Sequence, residues 1–214
     1  MINARQIKGI PSGWCQIPAA SFTATPASTS TITMGVDMTS SILIGMPLRY
    51  TISSVEYFGI VAAITSNLLT VNGAPLSGDV SNLQYGDPNK VSQIVVTIPS
   101  KYEDASNTDL IASDLKSSFI WDRAKSYLVK FGVYSDTADS STDGQASVQI
   151  NNTEVNTTTG GATIEAAKTW YNTIVNIATA AYDINPGEEL EITCIAGTGK
   201  DASDLTAKMI FVTP

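Results

Sequence analysis

Along the first third of the chain, apolar and polar residues exchange places with a period of two. Ser21-Phe22-Thr23-Ala24-Thr25 and Thr29-Ser30-Thr31-Ile32-Thr33-Met34 set apolar side chains between β-favouring threonines, and Pro26 and Gly35 punctuate their ends. Gly45-Met46-Pro47-Leu48-Arg49-Tyr50-Thr51-Ile52 and Val55 to Ile64 flank Ser53-Ser54, which predicts a β-hairpin around a polar serine turn. Leu68-Leu69-Thr70-Val71 is expected to end at a tight turn on Asn72-Gly73, a dipeptide that favours positive φ. Short strands at this density predict a small barrel-like domain over residues 19–75. The preceding residues, Met1 to Pro18, contain apolar residues without a strong period and are expected to be an N-terminal arm that orders on a neighbouring subunit.

From residue 76 to residue 90 the composition turns to Pro, Gly, Ser, Asn and Asp, which predicts an interdomain linker. A second domain, 91–214, opens with Ile94-Val95-Val96-Thr97-Ile98. It continues with strands at Phe119–Trp121, Tyr127–Tyr134, Ala146–Ile150, Thr169–Ile177, Leu190–Ile195 and Ala207–Val212. One short helix is expected at Asp109–Leu115, capped by Asn107 or Thr108. Long strands joined by polar loops fit two sheets packed face to face, so the expected fold is all-β: a small β-barrel-like domain followed by a jelly-roll β-sandwich.

Composition narrows the chemistry. The chain of 214 residues has no histidine, two cysteines and 15% charged residues, so the side chains that most often move protons or hold metals are scarce. With 43% apolar residues it can bury a real core. Its 12 basic and 20 acidic residues give a net charge of -8, which repels a phosphate backbone and makes nucleic acid a poor partner. No apolar run reaches the ~20 residues needed to cross a bilayer, and the first residues carry no recognisable export signal. Cys15 and Cys194 lack a CxxC partner; two thiols in a reducing cytoplasm is the simpler account, with one long-range disulfide the alternative.

Ile120-Trp121, Ser126 to Phe131, Val148 to Asn151, Trp170 to Thr173, Ile184-Asn185-Pro186-Gly187-Glu188-Glu189-Leu190-Glu191-Ile192 and Asp201 to Thr206 form a pattern that spans about the last 120 residues. In this pattern the chain resembles the jelly-roll modules of tailed-phage head-fibre and capsid-decoration proteins. The first domain resembles small phage β modules at Gly45–Tyr50 and Tyr57–Val61. These resemblances imply a homotrimeric or otherwise symmetric virion part, contacting itself and the major capsid protein or another virion protein. They carry over no catalytic, cofactor-binding or metal residues, and imply synthesis in the host cytoplasm.

Several residue groups suggest chemistry of their own. Asp136, Asp139 and Asp143-Gly144 share one polar loop and could gather oxygens around Ca²⁺, but their spacing departs from an EF-hand and a solvated loop is expected. Alternation should send Glu189 and Glu191 to solvent beside Glu188, leaving no carboxylate pair for glycoside hydrolysis. Asn151-Asn152-Thr153 and Asn156-Thr157-Thr158 match the glycosylation sequon without a sign of secretion. Gly160-Gly161 and Gly197-Thr198-Gly199-Lys200 read as turns and lack the spacing of a phosphate loop. Trp14, Trp121 and Trp170, with Tyr57, Tyr127 and Tyr171, could stack on a sugar, yet most lie in apolar strands where core filling is the commoner fate. The expectation is therefore a non-enzymatic capsid-decorating or head-fibre protein, with a tail or baseplate component that binds a host glycan as the alternative.

Overall fold

The computed structural model describes residues 13–98, 115–134, 144–155, 162–164, 171–173, 182–195 and 205–214. The chain is all-β, with antiparallel sheets and no α-helix among the described residues. It divides into two compact units, Met1–Ser92 with Val212–Pro214, and Gln93–Phe211.

The first unit is one curled sheet built from β1 (Trp14–Gln16), β2 (Thr31–Thr33), β3 (Pro47–Ile52), β4 (Val55–Ile64), β5 (Leu68–Gly73) and β6 (Val80–Gly86). Their order is β1-β6-β3-β4-β5-β2, and every neighbouring pair is antiparallel. Alternation decides which face is buried: Leu48, Tyr50 and Ile52 of β3 point inward between half-exposed Arg49 and Thr51. Two bulges bend the sheet, one where β3 meets β6 between Arg49 and Thr51, the other where β4 meets β5 between Val61 and Ala63. Asn82 lies on β6 at the first bulge with φ 49, the left-handed conformation that an extra residue needs. The segment between β1 and β2 then straps the curl. Thr23 donates its N–H to the Thr33 carbonyl at 2.9 Å, while the Val80 N–H reaches the Ala24 carbonyl at 2.8 Å.

The predicted hairpin at Ser53-Ser54 is present, with β3 and β4 in register from Pro47–Ile60 to Ile52–Val55. Three expectations differ. Asn72-Gly73 is no turn; it continues β5, with Gly73 opposite Gly59 of β4. The expected linker holds β6, which lies between β1 and β3. Its outward residues Ser81, Asn82 and Gln84 supply the polar composition, while Val80 and Leu83 enter the core and the bulge at Asn82 interrupts the period. The expected arm also belongs partly to this sheet: Trp14 opens β1 and is wholly buried, its ring 6.0 Å from that of Phe58. Residues 1–12 lie outside the described residues. Thr213 donates its N–H to the Lys90 carbonyl at 2.8 Å, and Lys90 Nζ donates to the Pro214 carbonyl at 2.8 Å, so the far end of the sequence completes this unit.

The second unit carries β7 (Val91–Ile98) from Gln93 onward, β8 (Leu115–Ile120), β9 (Ser126–Tyr134), β10 (Gly144–Ile150), β11 (Thr153–Glu154), β12 (Ala162–Ile164), β13 (Tyr171–Thr173), β14 (Asp183–Ile184), β15 (Glu189–Ile195) and β16 (Leu205–Val212) as far as Phe211. One sheet runs β13-β9-β16-β7 and the other β11-β10-β15-β8, with β12 also on β10 and β14 also on β9. Setting aside the two-residue strands β11 and β14 leaves eight. Numbered one to eight along the chain, they give sheets 1-8-3-6 and 2-7-4-5, the double Greek key of a jelly roll.

The jelly-roll core is filled by alternate residues of both sheets: Val129, Phe131 and Val133 of β9, Met209 and Phe211 of β16, Val148 and Ile150 of β10, and Leu190 and Ile192 of β15. Trp121, just after β8, lies against Phe211 with ring centroids 4.7 Å apart. The predicted Pro/Gly turn leads into β15: the Glu188 N–H bonds the Asn185 carbonyl at 3.1 Å and Gly187 takes φ 90, which only glycine adopts without strain. The expected helix falls outside the described residues apart from Leu115, which opens β8.

Candidate functional site

Among the described residues, the groups that could have carried chemistry are dispersed or spent on the fold. Trp14 and Trp121 are core residues of different units, wholly buried, so neither offers a face to a sugar. Tyr57 stacks on Tyr50 at 6.0 Å, and Tyr127 leans on Tyr182 at 5.2 Å beneath the Lys125 ammonium. Trp170 and the Tyr171 side chain lie outside the described residues, as do Asp136, Asp139, Asp143, Gly160-Gly161, residues 197–200 and the sequon at Asn156. Among the described residues no three of His, Cys, Asp and Glu are grouped to hold a metal ion. No helix among them is long and apolar enough to cross a membrane.

The acidic group at β15 is arranged differently from the expectation. Glu188 caps its own turn, its Oε2 accepting from the Asn185 N–H at 2.7 Å. Glu191 is only 9% exposed, where alternation alone predicts a solvated carboxylate. Its strand is interior to the sheet, with Gln149 on one side and Ser118 on the other, and Thr193 Oγ1 donates to its Oε1 at 3.2 Å. Neighbours on both flanks thus cover an outward side chain that an edge strand would leave in water.

Asn151-Asn152 is explained by backbone geometry. Both residues take positive φ, 48 and 62, and make the two-residue turn between β10 and β11; Asn151 Oδ1 also accepts the Glu189 N–H at 3.1 Å. Cys15 is a free thiol, which removes the alternative of a disulfide to Cys194. It faces Tyr85 across β1 and β6. Burial, then a hydrogen bond and the charge of Cys15, push the Tyr85 hydroxyl up to about 12.

What the first unit does present is an ordered apolar turn that the sequence reading missed. Leu43-Ile44-Gly45-Met46 closes with a bond from the Met46 N–H to the Leu43 carbonyl at 3.2 Å, with Gly45 at φ 87, a type II arrangement. The Gly45 N–H and the Val61 carbonyl, and the Val61 N–H and the Met46 carbonyl, pin it to β4 at 2.8 and 2.9 Å. Ile42 is buried beneath it, while Leu43 is 58% and Ile44 70% exposed. A visible signal was the run Ile42-Leu43-Ile44 between Ser41 and Gly45, apolar yet outside any alternating segment.

No family model and no curated protein matches the chain.

Proposed function

We propose that this protein is a non-enzymatic structural component of a tailed-phage virion, decorating or stabilising the capsid or forming a head fibre as a symmetric homo-oligomer. The observation that carries the reading is the rigid turn at Leu43-Ile44. Two large aliphatic side chains held in water by a turn with three backbone hydrogen bonds have no use within their own unit, and an apolar knob of this kind fits a pocket on another protein. A jelly roll that commits Trp121, Phe131 and Phe211 to its core supports the same reading, because a core filled in this way makes a rigid shaped surface. Many copies arrayed by symmetry would convert weak individual contacts into firm attachment.

Cryo-electron microscopy of purified particles tests this. Density for both units on the particle surface is the expected result, and a protein missing from mature particles would end the proposal. Selective retention on a glycan array, without any weakening of heads when the protein is lost, would favour a tail or baseplate receptor-binding role instead.

A further inference from the structure

Strand β7 is the outermost strand of its sheet, and among the described residues no strand pairs with its free side. Edge strands of this length are usually blunted by a lysine, a proline or a short run, since unpaired backbone groups invite another chain. Val91-Ser92-Gln93-Ile94-Val95-Val96-Thr97-Ile98 has no charge, no proline and no glycine. Val95 is 51% exposed between exposed Gln93 and Thr97, and Ile94 and Val96 are only half-buried. In the jelly-roll order β7 and β8 are the first two strands and edge the two facing sheets on the same side. There β8 adds Ile120, 62% exposed, beside exposed Ser118 and half-buried Phe119.

We propose that this side of the sandwich receives a second copy of the chain, with β7 pairing antiparallel to β7 of the other copy about a two-fold axis at Val95. Two features select a second copy over an unrelated strand. The first is that the centre of β7, Gln93 to Thr97, reads the same in both directions from Val95, the match ending where Ser92 would meet Ile98. Directly opposed residues of an antiparallel pair share a face, so Val95 meets Val95, Ile94 meets Val96 and Gln93 meets Thr97, matching β-branched with β-branched and polar with polar. An isologous interface requires such self-complementarity, whereas a foreign strand does not. The second is charge. At a net charge of -8 two copies repel wherever carboxylates meet, but residues 91–98 and 117–120 contain no ionisable side chain. The pairing stands independently of the virion proposal and fixes a two-fold where that proposal asks only for symmetry.

Size-exclusion chromatography with light scattering on the full chain should return twice the chain mass. Val95→Lys would set two ammonium groups face to face at the axis, and should weaken self-association at least tenfold while the circular dichroism stays unchanged. Val95→Cys should give a disulfide-linked dimer on mild oxidation, beyond anything the native Cys15 and Cys194 form, because opposed Cα atoms of an antiparallel pair lie about 4.5–5.5 Å apart, within disulfide reach. Gln93→Lys should weaken the dimer and the added Thr97→Glu should restore it, since the two positions face each other twice. A monomeric unaltered chain, or a Val95→Cys chain that forms no additional dimer, would overturn the pairing. A trimer indifferent to Val95→Lys would overturn it too, and would leave the virion proposal standing.

Discussion

Gly59 and Gly73 face one another across β4 and β5, closer than any other residue type allows. A Cβ on Gly59 would stand 2.8 Å from the Asn72 carbonyl oxygen, and one on Gly73 would stand 2.7 Å from the Phe58 carbonyl oxygen and 2.8 Å from the Gly59 Cα. These are backbone atoms in a hydrogen-bonded ladder, so they cannot swing aside as a flexible side chain would. Gly73 also takes φ 150, a conformation that side-chain-bearing residues rarely adopt. Gly73→Ala should therefore cost about 3 kcal/mol and Gly59→Ala about 2 kcal/mol, both from displaced backbone. Urea unfolding of the two variants measures this; a loss below about 0.5 kcal/mol in both would mean the strands separate freely.

Two hairpins turn on residue pairs with positive φ at both positions: Ser53-Ser54 at 50 and 68, and Asn151-Asn152 at 48 and 62. Asparagine tolerates this region and serine tolerates it less well, while glycine at the second position meets no steric cost. Ser54→Gly should therefore stabilise the first unit by about 0.5–1 kcal/mol, and Asn152→Gly the second by somewhat less. Asn151→Ala removes the cap on the Glu189 N–H as well as a tolerant residue, and should cost about 1 kcal/mol. Thermal unfolding by calorimetry, which can resolve separate transitions, reads all three. A drop in stability for Ser54→Gly would contradict the turn geometry.

The same pairs show what was legible in the sequence. Serine between two alternating runs marked a turn because both flanks carried a period of two, and so the hairpin was readable although Ser-Ser is a poor turn sequence. Asn72-Gly73, a far stronger turn sequence, instead continues a strand because its use depends on Gly59, fourteen positions before Gly73, which the local pattern does not reveal. Polar composition hid β6 for a related reason: its outward face is polar, and a bulge at Asn82 breaks the period that would have marked it as a strand. The jelly roll was legible because each long strand carried its own alternation. The burial of Glu191 was not, since it depends on neighbours on both sides of β15, and pairing order is a tertiary property. The apolar turn at Leu43-Ile44 was written openly but matched no period, so nothing drew attention to it.

Tyr85 gives the stability a dependence on alkaline pH. Burial and Cys15 hold its hydroxyl protonated in the fold up to about 12, against an ordinary 10.0. Below about 10 both folded and unfolded chains keep the proton, and the contribution is fully present. Between the two values the unfolded chain binds fewer protons than the fold, so stability falls as pH rises through that window. Tyr85→Phe should flatten this alkaline limb, and Cys15→Ser should shift the Tyr85 titration. Denaturant midpoints taken across the window, compared with the unaltered protein, check the sign; an identical limb in Tyr85→Phe would show that Tyr85 does not titrate as described.

Variants at Leu43 and Ile44 distinguish folding from the proposed attachment. Neither projecting side chain makes a bond that holds the turn, which rests on backbone groups and on the Met46 Sδ that accepts the Leu43 N–H at 3.4 Å, and the buried anchor beneath it is Ile42. Leu43→Ser with Ile44→Ser should thus leave stability within about 0.5 kcal/mol, the usual range for exposed positions, and should lower any tendency to self-associate through this patch. Ile42→Ser, one residue earlier, should instead cost about 3 kcal/mol by placing an unpaired hydroxyl in the core and removing buried methyl groups. If the proposed function holds, the exposed double variant should fold normally yet fail to add back onto particles stripped of the protein, a difference that sedimentation of reconstituted particles reads directly. Full occupancy by the double variant would assign attachment to another surface, because no loss of fold could then be hiding the effect.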